Sequence, residues 1–401
     1  MAAEHIDALD SEALAFEQPD TSPDEPASNS VPSGNDLAAE SDNSDQDLAL
    51  PEESTELSRL LDELIIFVEQ ERGHHFDTRP AVTLLDNDGF NEAWNALISG
   101  DAQEFATDYD NFTDIYRAMG IIEGSATLEE IWKRFGDAGV LGYYDPDRGD
   151  IVLRAGEITA FTKTVLVHEL VHALDDQIFG IDRDEYAERD DEISWTFSAL
   201  VEGSAGVIEQ RYRATLSAAE RDEEIAVQRA LPRGVSLSEF TDSFLELQFG
   251  RYRYGDAFAE ALWAVGRAEV DRAFEEPPAT SEVVIDPGAY LSGAPINGAI
   301  APPQADGEVF ESGVWGEAAW AALFADAYGV AEGRALADGW GGDQFVAWRT
   351  GSQTCVRIHV EADTPGDLDN YAIALQEWSR QAVGRDVFYP TAELVRVTGC
   401  R

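Results

Sequence analysis

The spacing of apolar residues along the chain predicts a mostly helical protein with a few short strands. In LSRLLDELIIFVEQERG, which begins at Leu57, apolar residues recur every three or four positions, and Gly73 ends the run. The same spacing predicts a helix over Ile158–Phe179, closed by Gly180, and a second long helix over about Glu192–Leu216. Further helices are predicted near residues 91–99, 128–135, 237–247, 255–274, 316–328 and 331–339.

Two other parts of the chain have the pattern of strands and turns. Val140–Tyr144 and Ile151–Arg154 are β-prone runs on either side of DPDRGD, which predicts a hairpin directly before the helix 158–179. The last fifty residues predict a small β–α–β unit with a strand at 354–360, a helix at 365–383 and a return strand at 392–398. We interpret Trp340–Asp343 as a tight turn after a helix.

Composition divides the chain into three parts. Residues 1–56 contain 16 acidic residues, no Lys or Arg, and Phe16 as their one aromatic, so we predict a disordered acidic tail. Residues 57–350 are predicted to form one domain of the α+β class, mostly helical, with a small sheet or hairpin before the helix 158–179. Residues 351–401 are predicted to form a small C-terminal αβ subdomain.

The charge of the chain is strongly negative beyond the tail as well. The formal net charge is −52, and residues 57–401 still carry 63 acidic against 27 basic side chains, of which only Lys133 and Lys163 are lysines. This composition favours a halophilic protein, because molar salt shortens the Debye length to about 3 Å and screens self-repulsion. An acidic protein from a low-salt organism is the alternative. The like charge argues against nucleic acid and anionic membranes as partners, and no apolar run is long enough for a transmembrane helix.

Two cysteines and the first residues of the chain bear on its location. If the strands that carry Cys355 and Cys400 pair antiparallel, a disulfide is possible; if they run parallel, both thiols stay free. A disulfide would indicate an oxidising compartment. The start, MAAEHIDALD, lacks the basic and apolar regions of a signal peptide. The acidic Ser/Pro-rich tail and the cysteine pair favour a cell-surface or secreted protein, with a cytoplasmic location as the alternative.

One motif in the chain indicates metal chemistry. His168-Glu169-Leu170-Val171-His172 lies inside the predicted helix 158–179, where the two His project from one face one turn apart. Two such imidazoles can bind one metal ion, and Glu169 can take a proton from a water molecule on that metal. With six His in the chain, a chance HExxH is roughly a 1% event.

A catalytic zinc site generally has three protein ligands. The HExxHxxGxxH pattern, which supplies a third His, is excluded because Asp175 stands three residues after His172. In SALVEGSA, Glu202 follows His172 by 30 residues and has apolar and small neighbours, which let two helices approach closely. We therefore expect Glu202 as the third ligand and Glu209, two turns later, as the fallback.

HELVHALDDQIF followed by ALVEGSA resembles the gluzincin metallopeptidases, and within them haloarchaeal surface proteins. The likeness extends over roughly Leu57–Trp348 through GYYDPDRGDIVLR, PPATSEVVIDPGAY and GWGGDQF. It implies a gluzincin-type domain that binds Zn²⁺ through His168, His172 and Glu202, with Glu169 as the general base. It also implies a peptide or protein substrate, an edge strand in the hairpin 140–154 along which that substrate extends, and an orienting role for Asp176.

The chain departs from thermolysin-like enzymes in three places. Gly206 stands where they have an Asp, one turn after the Glu ligand, and relatives carry a His where this chain has Asp286. The only His after Glu202 is His359, in the C-terminal unit, so the oxyanion donor must be another residue. Tyr212 and Tyr254 are the candidates.

Three functions are compatible with these features. The first is zinc-dependent peptide hydrolysis, which the intact HExxH motif favours. The second is a non-catalytic surface protein that keeps a structural or relic metal site, which the missing oxyanion donor favours. The third is an acidic binding or scaffold protein in which HExxH is accidental.

Overall fold

A computed structural model describes residues 3–6, 55–183, 186, 192–230 and 236–401. Apart from residues 3–6, 55 and 56, the predicted acidic tail of residues 1–56 lies outside the described residues. The described chain is a mixed α+β structure that is mainly helical and has two small sheets, as the sequence predicts. None of its described helices is both long and apolar enough to cross a lipid bilayer.

Helices make up most of the described chain. The first five helices are α1 (Thr55–Arg72), α2 (Asn87–Glu104), α3 (Ala106–Met119), α4 (Leu128–Gly139) and α5 (Ala160–Phe179). The following ones are α6 (Glu192–Thr215), α7 (Ala218–Ala230), α8 (Asp242–Val265), α9 (Arg267–Glu275), α10 (Ser281–Ile285) and α11 (Pro287–Ser292). The last are α12 (Glu317–Tyr328), α13 (Val330–Ala337) and α14 (Pro365–Gln381).

The first sheet lies beside the helix that carries HExxH. It contains β1 (Ala3–Ile6), β2 (Ala81–Leu85), β3 (Val140–Asp145) and β4 (Asp150–Arg154), in the order β1-β3-β4-β2. The antiparallel pair β3–β4 is the hairpin predicted before α5, and Gly149 in its turn has a φ of 67°, a conformation that favours glycine. Strand β2 runs parallel to β4, whereas β1 pairs antiparallel with β3.

The second sheet is antiparallel throughout and holds the disulfide. Its strands are β5 (Glu308–Gly313), β6 (Trp340–Thr350), β7 (Gln353–Ala362), β8 (Arg385–Phe388) and β9 (Val395–Cys400), in the order β5-β6-β7-β9-β8. Cys355 on β7 lies directly opposite Cys400 on β9, and the two form a disulfide. The sheet joins strands from both sides of the boundary that the sequence predicts at residue 350.

The segment Trp340–Asp343, expected to be a turn, is instead the start of strand β6. Its carboxylate explains the difference, because Asp343 is fully buried and accepts hydrogen bonds from the indole nitrogens of Trp320 and Trp340. The backbone N–H groups of Trp315 and Gly316 also donate to this carboxylate. Contacts made far away in the sequence therefore override the local preference of Gly and Asp for turns.

Helix α5 is buried on all sides, as expected for a helix without a polar face. Residues 160–175 are almost all inaccessible to solvent. Thr159 caps the first turn by accepting a hydrogen bond from the backbone N–H of Thr162, and Gly180, with φ 68°, ends the helix. Both ends therefore match the predicted helix 158–179 to within two residues.

Helices α6 and α8 cross at two glycines. A Cβ built on Gly203 of α6 would lie 2.0 Å from the carbonyl oxygen of Gly255 on α8, and one built on Gly255 would lie 2.1 Å from the carbonyl oxygen of Ala199. Only glycine permits this backbone approach. The crossing sets the position of α6, which carries Glu202.

Candidate metal centre

Helix α5 presents both histidines of the HExxH motif to the protein interior. His168 is 1% exposed and His172 is fully buried, and their ring centroids lie 4.6 Å apart, one turn along the same helix face. Because the surrounding helix positions are apolar, a buried imidazole here needs a specific partner. That partner comes from α6.

Glu202 projects from α6 toward both imidazoles. Its Oε2 lies 3.2 Å from His168 Nε2 and 3.5 Å from His172 Nε2, and Glu202 is 4% exposed. One ligand atom from each of the three residues lies within 4.8 Å of the other two. The structure thus brings together the three residues that the sequence predicts as metal ligands.

The residues fit a zinc ion chemically. Two imidazole nitrogens and one carboxylate oxygen are a donor set found in catalytic zinc sites. Both ring nitrogens of His172 are buried; Nδ1 has no hydrogen-bond partner within the described residues, and the contact of Nε2 with Glu202 is long, at 3.5 Å. Burial lowers the pKa of His172, which keeps the imidazole neutral and its lone pair available. An unbonded buried nitrogen is costly unless a ligand such as a metal ion satisfies it.

A second carboxylate fixes the orientation of His168. Glu209, the fallback ligand, accepts a hydrogen bond at 2.8 Å from Nδ1 of His168, the nitrogen that faces away from Glu202. Arg213 in turn contacts Glu209 at 2.7 Å. Glu209 therefore lies where it holds the imidazole so that Nε2 points at Glu202, the arrangement typical of residues behind metal ligands.

Within the cluster, neighbouring opposite charges shift the pKa values of His168 and Glu202. Burial alone would lower the pKa of His168, but Glu202 and Glu209 outweigh burial and raise it to about 10. Burial would raise the pKa of Glu202, but His168 and His172 outweigh it and lower that pKa to about 2. Without a metal ion, the cluster therefore holds a positive charge on His168 between two carboxylates, and a metal cation would replace that charge.

Glu169 lies next to strand β3. It is fully buried, and a Cβ built on Gly142 would be 3.0 Å from its Oε1. Any larger residue at position 142 would therefore press on the carboxylate that we predict to be the general base. One edge of β3 pairs with β4, and the other edge pairs with β1. A substrate that extended along β3 would therefore have to displace residues 3–6 of β1.

The two acidic residues after the motif have different partners. Asp176, expected to orient a ligand imidazole, accepts hydrogen bonds from the Tyr144 hydroxyl at 2.8 Å and from the backbone N–H of Ile181 at 2.9 Å. Asp175, for which the sequence predicts no role, is fully buried and contacts α6 through Ser204. The feature that could have identified Asp175 as part of the site is its position three residues after His172 on a fully buried helix.

The two tyrosines predicted as oxyanion donors have contacts elsewhere. Tyr212 packs edge-on against Phe67 of α1, with ring centroids 5.3 Å apart. Tyr254 lies 6.2 Å from the ring of Trp195 and beneath the guanidinium of Arg334. These contacts do not include the three residues of the metal cluster, and the oxyanion role of both tyrosines stays a prediction.

The residues that depart from thermolysin-like enzymes also have defined positions. The space that a side chain at Gly206 would fill holds the carboxylate of Asp256 from α8, which lies 2.0 Å from a Cβ built on that glycine. Asp286 caps helix α11 by accepting a hydrogen bond from the backbone N–H of Gly288. His359 lies on β7 in the C-terminal sheet, with Nδ1 3.4 Å from the carbonyl oxygen of Ala301.

Comparison with known proteins concerns the C-terminal part of the chain. A family model described as Domain of unknown function (DUF8575) matches residues 307–398, which is less than a quarter of the chain. Neither a curated protein nor a solved structure matches the chain. The matched residues contain strands β5 to β8 and most of β9, together with α12, α13 and α14, and they include no residue of the metal cluster.

Proposed function

We propose that this protein is a zinc-dependent metallopeptidase, which hydrolyses peptide bonds in a peptide or protein substrate. The observation that carries the proposal is the convergence of His168, His172 and Glu202 from two helices at a buried point beside Glu169. A structural zinc site would use four protein ligands, whereas three ligands leave a position for water or substrate. The donor set therefore favours catalysis over a purely structural role.

Glu169 is the proposed general base and acid. When bound, zinc would polarise the scissile carbonyl and lower the pKa of a coordinated water molecule to about 7. Glu169 takes a proton from the attacking water as its oxygen adds to the carbonyl carbon. It then delivers this proton to the amide nitrogen as the C–N bond breaks, which leaves a free amine and a carboxylic acid that ionises in solution.

Glu169→Gln tests this mechanism, with Glu317→Gln as a matched control. Both residues are buried glutamates, but burial raises the pKa of Glu317 to about 8, so a neutral amide there imitates the protonated side chain at pH 7. We expect wild type and E317Q, purified in molar KCl, to contain zinc and to digest an unfolded protein substrate. E169Q should retain zinc but lose turnover.

The other outcomes separate the alternatives. Turnover by E169Q would refute the role of Glu169. A wild-type protein that binds zinc at this cluster but cleaves nothing would support the non-catalytic surface protein with a retained metal site. A wild-type protein that binds no zinc would leave HExxH without a function and would contradict the proposal as a whole.

We also propose that the protein works at the cell surface of a halophile or outside the cell. The net charge of −52 supports a high-salt environment, and the disulfide Cys355–Cys400 supports an oxidising compartment. Thiol labelling during cell lysis, before any oxidation in air, tests the location. Cysteines that react at once would favour the cytoplasm.

A further inference from the structure

A second hydrogen bond joins the two helices that carry the metal ligands. Ser204 of α6 donates from its hydroxyl to Oδ2 of Asp175 on α5 at 2.7 Å, and both side chains are fully buried. Asp175 follows His172 by three residues, and Ser204 follows Glu202 by two. This bond therefore connects the helices within one turn of a ligand on each side.

Helix α1 fixes the same carboxylate from the other side. Arg72 is fully buried, donates from Nε to Asp175 Oδ1 at 2.6 Å and contacts Asp271 through Nη1. Its guanidinium also lies over the rings of Phe179 and Phe274, at 5.2 Å and 5.6 Å from their centroids. Both oxygens of Asp175 are thus bonded, which restricts the carboxylate to one orientation.

Besides the contact of His168 with Glu202, two side-chain bonds between α5 and α6 lie on either side of His172 along α5. The first joins His168 to Glu209, and the second joins Asp175 to Ser204. Seven residues forward along α5 correspond to five residues back along α6, as expected for antiparallel helices. Because His172 lies between the two bonds on α5, its distance to Glu202 depends on both of them.

We propose that Arg72, Asp175 and Ser204 are positioning residues for the metal ion, which set the separation of α5 and α6 so that Glu202 meets both imidazoles. The proposal rests on the proposed zinc site and goes beyond it, since none of the three residues contacts the metal. Ligand distances in zinc sites vary by only about 0.2 Å, so a small separation of the helices weakens binding. Losing a hydrogen-bond partner of a metal ligand typically weakens metal affinity 10- to 100-fold, and we expect the lower end of this range for residues that act through the helix positions.

Ser204→Ala is the mildest test, because it removes one hydrogen bond and leaves the Arg72–Asp175 pair intact. Ser243→Ala is its matched control, since Ser243 is also fully buried on a helix and lies next to a carboxylate, but that carboxylate belongs to Asp326 and not to α5. Zinc affinity is measured by competition with a chromophoric chelator, in molar KCl, on samples that circular dichroism shows to be folded. We expect S204A to bind zinc about 10-fold more weakly than wild type and S243A to bind it unchanged.

Two further measurements separate positioning from general stability. The visible spectrum of bound Co²⁺ reports coordination geometry, and we expect it to change in S204A but not in S243A. Asp175→Asn, which removes the negative charge that pairs with the buried Arg72, should weaken zinc binding at least as much.

Zinc binding and a Co²⁺ spectrum in S204A equal to those of wild type would overturn the positioning role while leaving the zinc site itself intact. Wild-type protein that binds no zinc would refute the proposed function, and the positioning role with it.

Discussion

Gly203→Ala tests the helix crossing on which the position of Glu202 depends. The new Cβ would lie 2.0 Å from the carbonyl oxygen of Gly255 and 2.3 Å from its carbonyl carbon. An ordinary contact is about 3.4 Å, so α6 and α8 would have to separate by about 1.4 Å along this line. The obstacle is backbone rather than a flexible side chain, and a change of rotamer cannot relieve it.

The expected magnitude follows from two opposing effects. Overpacking of this kind destabilises a protein by about 1–3 kcal/mol, and the rigid backbone contact places it near the upper end. Alanine is about 1 kcal/mol better than glycine inside a helix, which offsets part of the loss. We therefore expect G203A to lower the free energy of unfolding by about 1–2 kcal/mol.

Gly100→Ala is the matched control for this experiment. Gly100 lies inside helix α2, and a Cβ built there meets no atom within 4 Å, so only the helix preference remains. G100A should raise the free energy of unfolding by up to about 1 kcal/mol. Urea denaturation in molar KCl, followed by tryptophan fluorescence, measures both variants. A G203A protein stabilised as much as G100A would refute the close crossing of α6 and α8.

Two further predictions concern the disulfide and the buried acidic groups. Replacing Cys355 and Cys400 by Ser removes a disulfide that closes a loop of 45 residues. The chain-entropy relation then predicts that the free energy of unfolding falls by about 4 kcal/mol, which urea denaturation measures. A fall below about 1 kcal/mol would show that the disulfide does not constrain the unfolded chain. Burial raises the pKa of Glu317 to about 8, above its unfolded value, so the folded state binds more protons and stability should fall as the pH rises from 5 to 8. Over this pH range the free energy of unfolding of E317Q should fall less than that of wild type, by on the order of a few kcal/mol at most. Equal slopes of stability against pH for wild type and E317Q would contradict the raised pKa.

The parts of the site that the sequence predicts are those encoded locally. The HExxH spacing places two His on one helix face whatever the surrounding fold, and an apolar stretch around Glu202 marks a second buried helix. The hairpin before α5 is also local, because turn residues separate two β-prone runs. These elements appear in the structure with bounds that differ by only a few residues.

The parts that the sequence does not predict depend on contacts between distant elements. Asp175 could be recognised as buried, but its partner Arg72 lies 103 residues earlier, on α1. The partner of the Tyr212 ring depends on where α1 packs against α6, and a single sequence does not specify that packing. Likewise, the space beside Gly206 is filled by Asp256 of another helix. Helical periodicity identifies a buried face but not the element that covers it.

Two carboxylates behind the metal cluster are paired with arginines. Asp175 is paired with Arg72, and Glu209 is paired with Arg213. These ion pairs are buried or partly buried, so the molar salt that screens the surface acidic groups screens them much less. Each arginine is shared with a second carboxylate, Asp271 for Arg72 and Glu224 for Arg213, so the negative charges of Asp175 and Glu209 are only partly compensated.

The combined charge of Glu202 and Glu169 matches a divalent cation. Glu202 and Glu169 carry two negative charges when both are ionised, and His168 and His172 are neutral when they ligate a metal. A divalent ion balances this charge, whereas a proton on His168 balances only half of it. Because uncompensated charge is costly at a buried site, the arrangement favours an ion such as Zn²⁺ over a monovalent cation, even in molar potassium. Zinc binding that is unaffected by raising KCl from 1 to 3 M would agree with this argument, whereas displacement of zinc by potassium would contradict it.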